Sequence, residues 1–419
     1  MEEDIVHRRF FLKSVLVSCA GISGFRGSPL NIGKPLQMEI DATVAFRELN
    51  DAFCWFHPRA AAIPGKRPGQ KPRVIMTLQK HLKVSDYYSG LYYMDTKDLG
   101  KIWSGPHEIP ELKMCTGEDG FTYSVADVTP GWHDPSKKLL AIGIKVKYGK
   151  DGKQWTDTPL SHNAAYAVFD PETERWSSWK TFPPIPPGVS KFFLVNPGCV
   201  QWLVKKDGTI LLPVYYGAKG DSDYSSTVLH CSFDGENLTY LSHGDELFRQ
   251  GGRGYVEPSL AFFNNRYFLT LRNDLKAYVC TSADAKNWSE PQPWTFDDGS
   301  ELGSYNTQAH WLVHKEGLFL SYTRRGANNE HIVRNRAPIF IARVDPERLC
   351  VLRESEQILI PERGVMLGNF GASFITPNES WVTDAEFMIG DEPDPRGADG
   401  SVWVAKVKWS KPNKINYPQ

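Results

Sequence analysis

One strand-turn-strand unit returns along this chain at a spacing that few folds accommodate. Residues 202–212 run apolar into a turn at Asp207-Gly208 and apolar out again, and residues 260–269 repeat the form around Asn264-Asn265. Residues 311–320 turn at Glu316-Gly317, and residues 374–382 turn at Pro377-Asn378. The turn residues Gly208, Asn265, Gly317 and Asn378 lie 57, 52 and 61 positions apart. Short apolar runs broken by Gly or Asn mark hairpins, and hairpins at this period mark a propeller with generous loops. From about residue 45 onward no long window holds a helical apolar period, so the chain reads as all-β.

Composition agrees. The chain of 419 residues carries 13 Trp, 17 Tyr and 22 Phe beside 35 Gly and 29 Pro, which suits short strands joined by tight turns. The 48 Lys+Arg and 49 Asp+Glu leave a formal charge of -1. No bulk attraction to nucleic acid or anionic lipid follows, so recognition by charge has to be local.

A second repeat interleaves with the first. Thr96-Lys97-Asp98-Leu99-Gly100-Lys101-Ile102-Trp103 fits the Asp-box pattern S/T-x-D-x-G-x-x-W, and Ser282 to Trp288 is a shortened copy built on Asp284. Weaker relatives surround Asp170, Asp234 and Asp345. In such a box the Asp accepts backbone N–H bonds in a hairpin turn and Trp packs between blades, which concerns the fold and not catalysis. One hairpin unit plus one box per blade gives six blades, near 53–103, 121–176, 196–240, 256–294, 305–350 and 366–409. Residues 40–46 are expected to supply the outer strand of the last blade and close the ring, within a single propeller domain over 40–412.

The amino terminus reads as an export signal. Arg8-Arg9-Phe10-Phe11-Leu12-Lys13 precedes a short apolar run and then Ser18-Cys19-Ala20-Gly21, the layout of a twin-arginine signal over residues 1–30. Leu16-Val17-Ser18-Cys19 also resembles a lipobox, so Cys19 is either the lipidated start of the mature chain or discarded with the signal. An exported protein of the bacterial periplasm or cell surface is expected, with membrane anchoring only through Cys19. Cys54, Cys115, Cys199, Cys231, Cys280 and Cys350 stand singly, without CxxC pairs, and several sit in apolar alternation as small core residues.

Asp boxes within six blades resemble the sialidase superfamily of glycoside hydrolases, over nearly all of the mature chain. The fourth blade carries the most specific match. Tyr255-Val256-Glu257-Pro258-Ser259-Leu260 leads through a hairpin to Leu269-Thr270-Leu271-Arg272, with Glu257 and Arg272 15 residues apart. Sialidases have a similar unit, an acid entering the inner strand and an arginine of the carboxylate-binding triad leaving the second. An inner strand that starts at one face and a second strand that returns place both residues on that face. The same rule brings Arg59, Gln79, His81 and Asp86 from the first blade, and Asn306, Gln308, His310, Arg324 and Arg325 from the fifth.

Several arginines on one face suit an anionic ligand, because the guanidinium fork binds carboxylate in a bidentate manner. The resemblance implies a triad of Arg59, Arg272 and Arg324 or its neighbour Arg325, with Gln79, Asn306 and His310 as further substrate contacts. Arg334 and Arg336 extend the basic rim or pair with local acids. Asp86 stands where sialidases present their acid/base aspartate, or is a turn former in Val84-Ser85-Asp86-Tyr87. Glu257 activates a nucleophile or orients Arg272. The family pattern breaks at one place, since retaining sialidases use a tyrosine nucleophile near the start of the final blade and no Tyr occurs from Thr323 to Asn416. Phe370 lies near that position, and Tyr305 or Tyr255 would have to substitute from a neighbouring blade. His133 reads as a structural residue of the opposite face. No HExxH, Walker, dinucleotide or CxxC motif is present, so no cofactor and no metal are indicated.

The leading expectation is an exported, monomeric, sialidase-like glycoside hydrolase acting on a carboxylate-bearing terminal sugar of a glycan. Asp86 and Glu257 would move protons, with Tyr305 as the nearest catalytic hydroxyl. A propeller polysaccharide lyase with His310 or a Tyr as base, and a non-catalytic glycan-binding propeller, are the alternatives.

Overall fold

The computed structural model describes residues 35–155, 163–182, 190–388, 394–414 and 418. Arg8, Arg9 and Cys19, on which the export and lipidation readings rest, lie outside them. Six antiparallel sheets follow one another along the chain as the blades of a six-bladed propeller. Their inner strands are Cys54–Ile63, Thr122–His133, Leu194–Asn196 with Leu203–Val204, Val256–Phe263, His310–His314 and Gly371–Thr376. The six sheets follow the expected order, although the fifth runs on to Ile360 and the second begins at Cys115, beyond the bounds expected from the repeats.

The ring closes as the sequence predicts. Met38–Arg47 pairs antiparallel with Ser401–Trp409, in a register that sets Met38 against Trp409 and Thr43 against Val404. The last blade therefore takes its outer strand from the beginning of the described chain and its three inner ones from the end. Joining first and last sheets through one blade removes the open edge that would otherwise template further pairing.

Alternation along the strands explains how the blades adhere. A strand buried on both faces directs successive side chains to opposite neighbours, and each of the six junctions holds its own apolar cluster. Leu140 and Ile142 of the second blade meet Ile210 and Leu212 of the third. Ala61 and Ile75 of the first meet Val125 and Leu139 of the second, and Trp55 of the first meets Trp381 of the sixth. Burial of each such side chain contributes about 1.5–3 kcal/mol, so the core is a ring of six slabs and the axis is left to polar groups.

Turns between third and fourth strands decorate one face. Asp98 accepts N–H bonds from Lys101 and Ile102 at 2.9 and 3.1 Å, and Asp284 accepts them from Lys286 and Asn287, both at 2.8 Å. Asp234 and Asp345 do the same for the pairs Glu236/Asn237 and Glu347/Arg348. Trp103 packs 5.9 Å from Trp381, across the junction of first and sixth blades. His133 belongs to this side, where Ser136 and the Gly208 carbonyl occupy both its ring nitrogens. A cavity of about 1390 Å³ opens here, with Trp132, Trp202 and Trp311 in its wall and Arg59 and His310 reached from it.

Candidate functional site

The opposite mouth of the axis is built from one repeated backbone feature. In or just before every inner strand one residue facing this mouth takes a positive φ: His57 (51°), Asp127 (57°), Cys199 (57°), Glu257 (46°), Asn306 (50°) and Gly368 (97°). In the first, second and fourth blades the strand register slips there, between Phe56 and Arg59, Ala126 and Thr129, and Val256 and Ser259. A bulge turns its residue out of the alternation and toward the axis. The left-handed conformation costs an ordinary residue roughly 1–2 kcal/mol, and five of the six positions carry a side chain despite that cost. Strain repeated at one level of a fold is a mark of a functional site.

Two positions further along, side chains bridge the blades across the channel. Arg59 donates to the Val128 and Phe370 carbonyls and to Cys199 Sγ, the last at 3.0 Å. Gln201 reaches the Trp311 carbonyl at 3.0 Å. Ser259 meets His310 Nδ1 at 2.8 Å, and His310 Nε2 reaches the Phe370 carbonyl at 3.0 Å. Both bonds suit a neutral imidazole, and burial, with Arg59 nearby, pushes the His310 pKa down to about 3.

Blades four and five form the cationic half of the mouth. Arg272 ends the second strand opposite Val256 and holds Glu257 Oε1 at 2.5 Å. Its other fork nitrogen donates to Asn306 Oδ1 at 2.6 Å and to Asp274 at 3.3 Å. Burial works against the charge on Arg272, yet Glu257 and Asp274 raise its pKa above the ordinary value. Arg336 is 4% exposed and donates through Nε and Nη2 to the Asn306 carbonyl. Among the described residues it has no acidic partner, and burial, then Arg272, push its pKa down to about 10. A Cβ on residue 368 would approach Arg336 Cδ to 3.0 Å, so glycine there lets the arginine lie across the axis. Beneath it the Gly368 N–H binds Asp384 at 2.7 Å, and burial raises that carboxyl to about 7.

Blades one to three form the other half. His57 Nε2 stands 3.0 Å from Asp127 Oδ1. Burial opposes ionisation of Asp127, but His57 and Arg59 bring its pKa down to about 2. Gly198 admits this side chain, since a Cβ there would meet Asp127 Cβ at 2.7 Å. Tyr215, at the end of the third blade's second strand, receives a hydrogen bond from Asn196 Nδ2. Burial, and after it the charge of Glu257, hold its phenol well above the usual pKa. On the rim the exposed Asp86 accepts a bond from Tyr88 at 3.1 Å, and the Tyr88 ring lies 5.0 Å from His57. Glu257 Oε2, Arg272 Nε and His57 Nδ1 are buried without a hydrogen-bond partner among the described residues. Buried polar atoms are rarely left so.

The residues expected from sequence divide between this mouth and other places. Glu257, Arg272 and Asn306 come together, and Asp86 stands at the rim. Arg59 is in the channel below, its donors already engaged. Gln79 is buried and ties Ser89 to Val125 at 2.8 and 2.9 Å, between the first two blades. His310 is a channel bridge. Arg324 closes on Glu356 at 2.9 and 2.7 Å, with Tyr322 on the same carboxylate. Arg325 is exposed, pairs with Glu301 at 2.7 Å and lies over the Tyr305 ring. Tyr305 gives its hydroxyl to Asn335. Sequence reasoning passed over His57, Asp127, Cys199 and Tyr215, and placed Arg336 only on the rim. The rule that second strands end at this face reaches Tyr215 when applied to the third blade.

No family model and no curated protein matches the chain. Among solved structures it is similar to a Hadza microbial sialidase (TM-score 0.61, 11% identity, 88% of this chain and 68% of that one). It is also similar to Trypanosoma rangeli sialidase in complex with the inhibitor DANA (TM-score 0.59, 12% identity, covering 88% of this chain and 59% of that one). A Dyadobacter fermentans protein of unknown function matches over 90% of this chain and 99% of its own (TM-score 0.59, 15% identity). At such identities the likeness is one of fold, and the fold is the six-bladed propeller that those sialidases share.

Proposed function

We propose that the axial mouth is the active site of a sialidase-like glycosidase that takes a sugar bearing a carboxylate. The observation that carries this reading is Arg336, a buried cation beside a second buried arginine with no acid of its own among the described residues. An uncompensated buried charge is costly, and a ligand carboxylate between Arg336 and the free Nε of Arg272 would complete the pair with charge-assisted bonds. Arg272 and Arg336 thus replace the clamp expected from Arg59, Arg272 and Arg324 or Arg325.

Glu257 offers its unpartnered oxygen to the same space and is the carboxylate best placed to act on the sugar. Asp86, exposed on the rim, is the second carboxyl, so the pair needed for glycoside hydrolysis is available. Tyr215 supplies a hydroxyl near Glu257, and a phenol held so far above its usual pKa acts as an O–H donor. Phe370 is buried with its ring against His310 and supplies no hydroxyl. The lyase alternative loses its histidine base, because both nitrogens of His310 are engaged inside the channel. Export by the twin-arginine route belongs to the same proposal, with Cys19 either lipidated or discarded with the signal.

The test is release of sialic or uronic acid from model glycosides by the wild type, Glu257→Gln and Asp86→Asn. Turnover that survives undiminished in both variants would remove the assignment.

A further inference from the structure

The half of the mouth built by blades one to three holds three side chains that the glycosidase reading leaves unused. His57, Asp127 and Cys199 occupy the same strained position in three consecutive blades, and one donor atom from each lies within 4.8 Å of the others. His57 and Cys199 are 2% and 3% exposed. Imidazole, carboxylate and thiol converge here, with Asp127 only partly buried.

We propose that His57, Asp127 and Cys199 bind one divalent transition-metal ion of the Zn²⁺ class. Donor chemistry and geometry both favour it. Nitrogen, oxygen and sulfur ligands of mixed softness suit Zn²⁺, which three protein side chains commonly hold with a fourth position open. Bond lengths of about 2.0–2.3 Å at tetrahedral angles put neighbouring donor atoms roughly 3.2–3.7 Å apart. The His57 to Asp127 separation of 3.0 Å is close to that spacing before any ion draws the groups into place.

The surroundings serve a metal as well. Arg59 donates to Cys199 Sγ at 3.0 Å, an outer bond of the kind that supports a thiolate ligand. The Phe56 and Tyr88 rings enclose His57 at 4.3 and 5.0 Å, which limits water on that side. The preceding Gly198 is the residue that lets Asp127 lie against the third blade. An ion here would bring a positive charge and an open coordination position to the face where Glu257 and Arg336 stand.

Metal binding is measured without any sugar, so its outcome is separate from that of the glycosidase reading. The full-length protein is stripped with chelator, loaded with Zn²⁺ or Co²⁺ alone and desalted, and its metal content is determined. One equivalent per chain is expected, and the Co²⁺ form should show intense sulfur-to-cobalt charge-transfer absorption in the near ultraviolet. Cys199→Ser should abolish that band while Cys350→Ser and Cys115→Ser keep it. His57→Gln and Asp127→Asn should each weaken Zn²⁺ binding at least about tenfold, a loss typical of altered metal surroundings. These two variants carry the test if Cys199→Ser fails to fold. No retained metal, or a band and an affinity indifferent to the three substitutions, overturns the proposal.

Discussion

The two ends of the propeller axis both repeat a polar position from blade to blade, and they use it in opposite ways. At the turn face an aspartate is enclosed by donors from its own loop: Asp284 accepts from Ser282, Lys286 and Asn287, all within three residues. At the mouth, His57, Asp127, Cys199, Glu257 and Asn306 stand in strained conformations, and three buried atoms there keep no partner among the described residues. The turn face closes on itself within each blade, so repetition there serves stability. The mouth draws one residue from each blade, so its repetition assembles a site that no single blade contains.

Substitutions at the two ends should therefore separate activity from stability. The largest effect is expected at Glu257. Glu257→Gln should lower turnover on an acidic glycoside by about 10³-fold or more while far-ultraviolet circular dichroism stays unchanged. A variant that loses structure in step with activity would erase the distinction.

The channel between the ends gives the next test. With a folded pKa of about 3 against 6.5 for the free side chain, His310 takes up its proton in the unfolded chain first. Its contribution to stability is whole above pH 6.5 and is lost as pH falls toward 3, by about 4 kcal/mol over the window. Urea denaturation from pH 7 to pH 4 should show that slope, and His310→Gln should flatten it. A slope equal in both proteins would mean that the histidine is not buried neutral.

The smallest change belongs to the turn face. Asp284→Ala orphans several exposed donors and should cost about 1 kcal/mol, read as a lower urea midpoint, with turnover as in the wild type. A loss of turnover without a loss of stability would place chemistry at the wrong end.

Signals local to one hairpin were legible in the sequence. The turn spacing, the closing strand at residues 40–46 and the Glu257 to Arg272 unit all follow from residues near one another in the chain or from a simple repeat. Arg324 shows where such reading stops. It follows a second strand that ends at Tyr322, but Glu356 from the outer part of the same blade takes its Nε and Nη2. Arg336 reaches the mouth instead, from a loop, because Gly368 in the next blade leaves it room. His57, Asp127 and Cys199 meet only through the ring of blades, and motif searches that look for ligands a few positions apart pass over them. Positive φ at the inner-strand entries, the feature that unites all six positions, leaves no residue preference strong enough to read except at Gly368.

Calorimetric titration reads out directly whether an acid group docks between Arg272 and Arg336. Sialic acid and its methyl ester, which differ in that charge, are titrated into the wild type and into Arg336→Gln. The acid should bind the wild type, the ester should bind at least about tenfold more weakly, and Arg336→Gln should remove the difference. Equal binding of acid and ester by the wild type, or a preference for the acid that persists in Arg336→Gln, would contradict it.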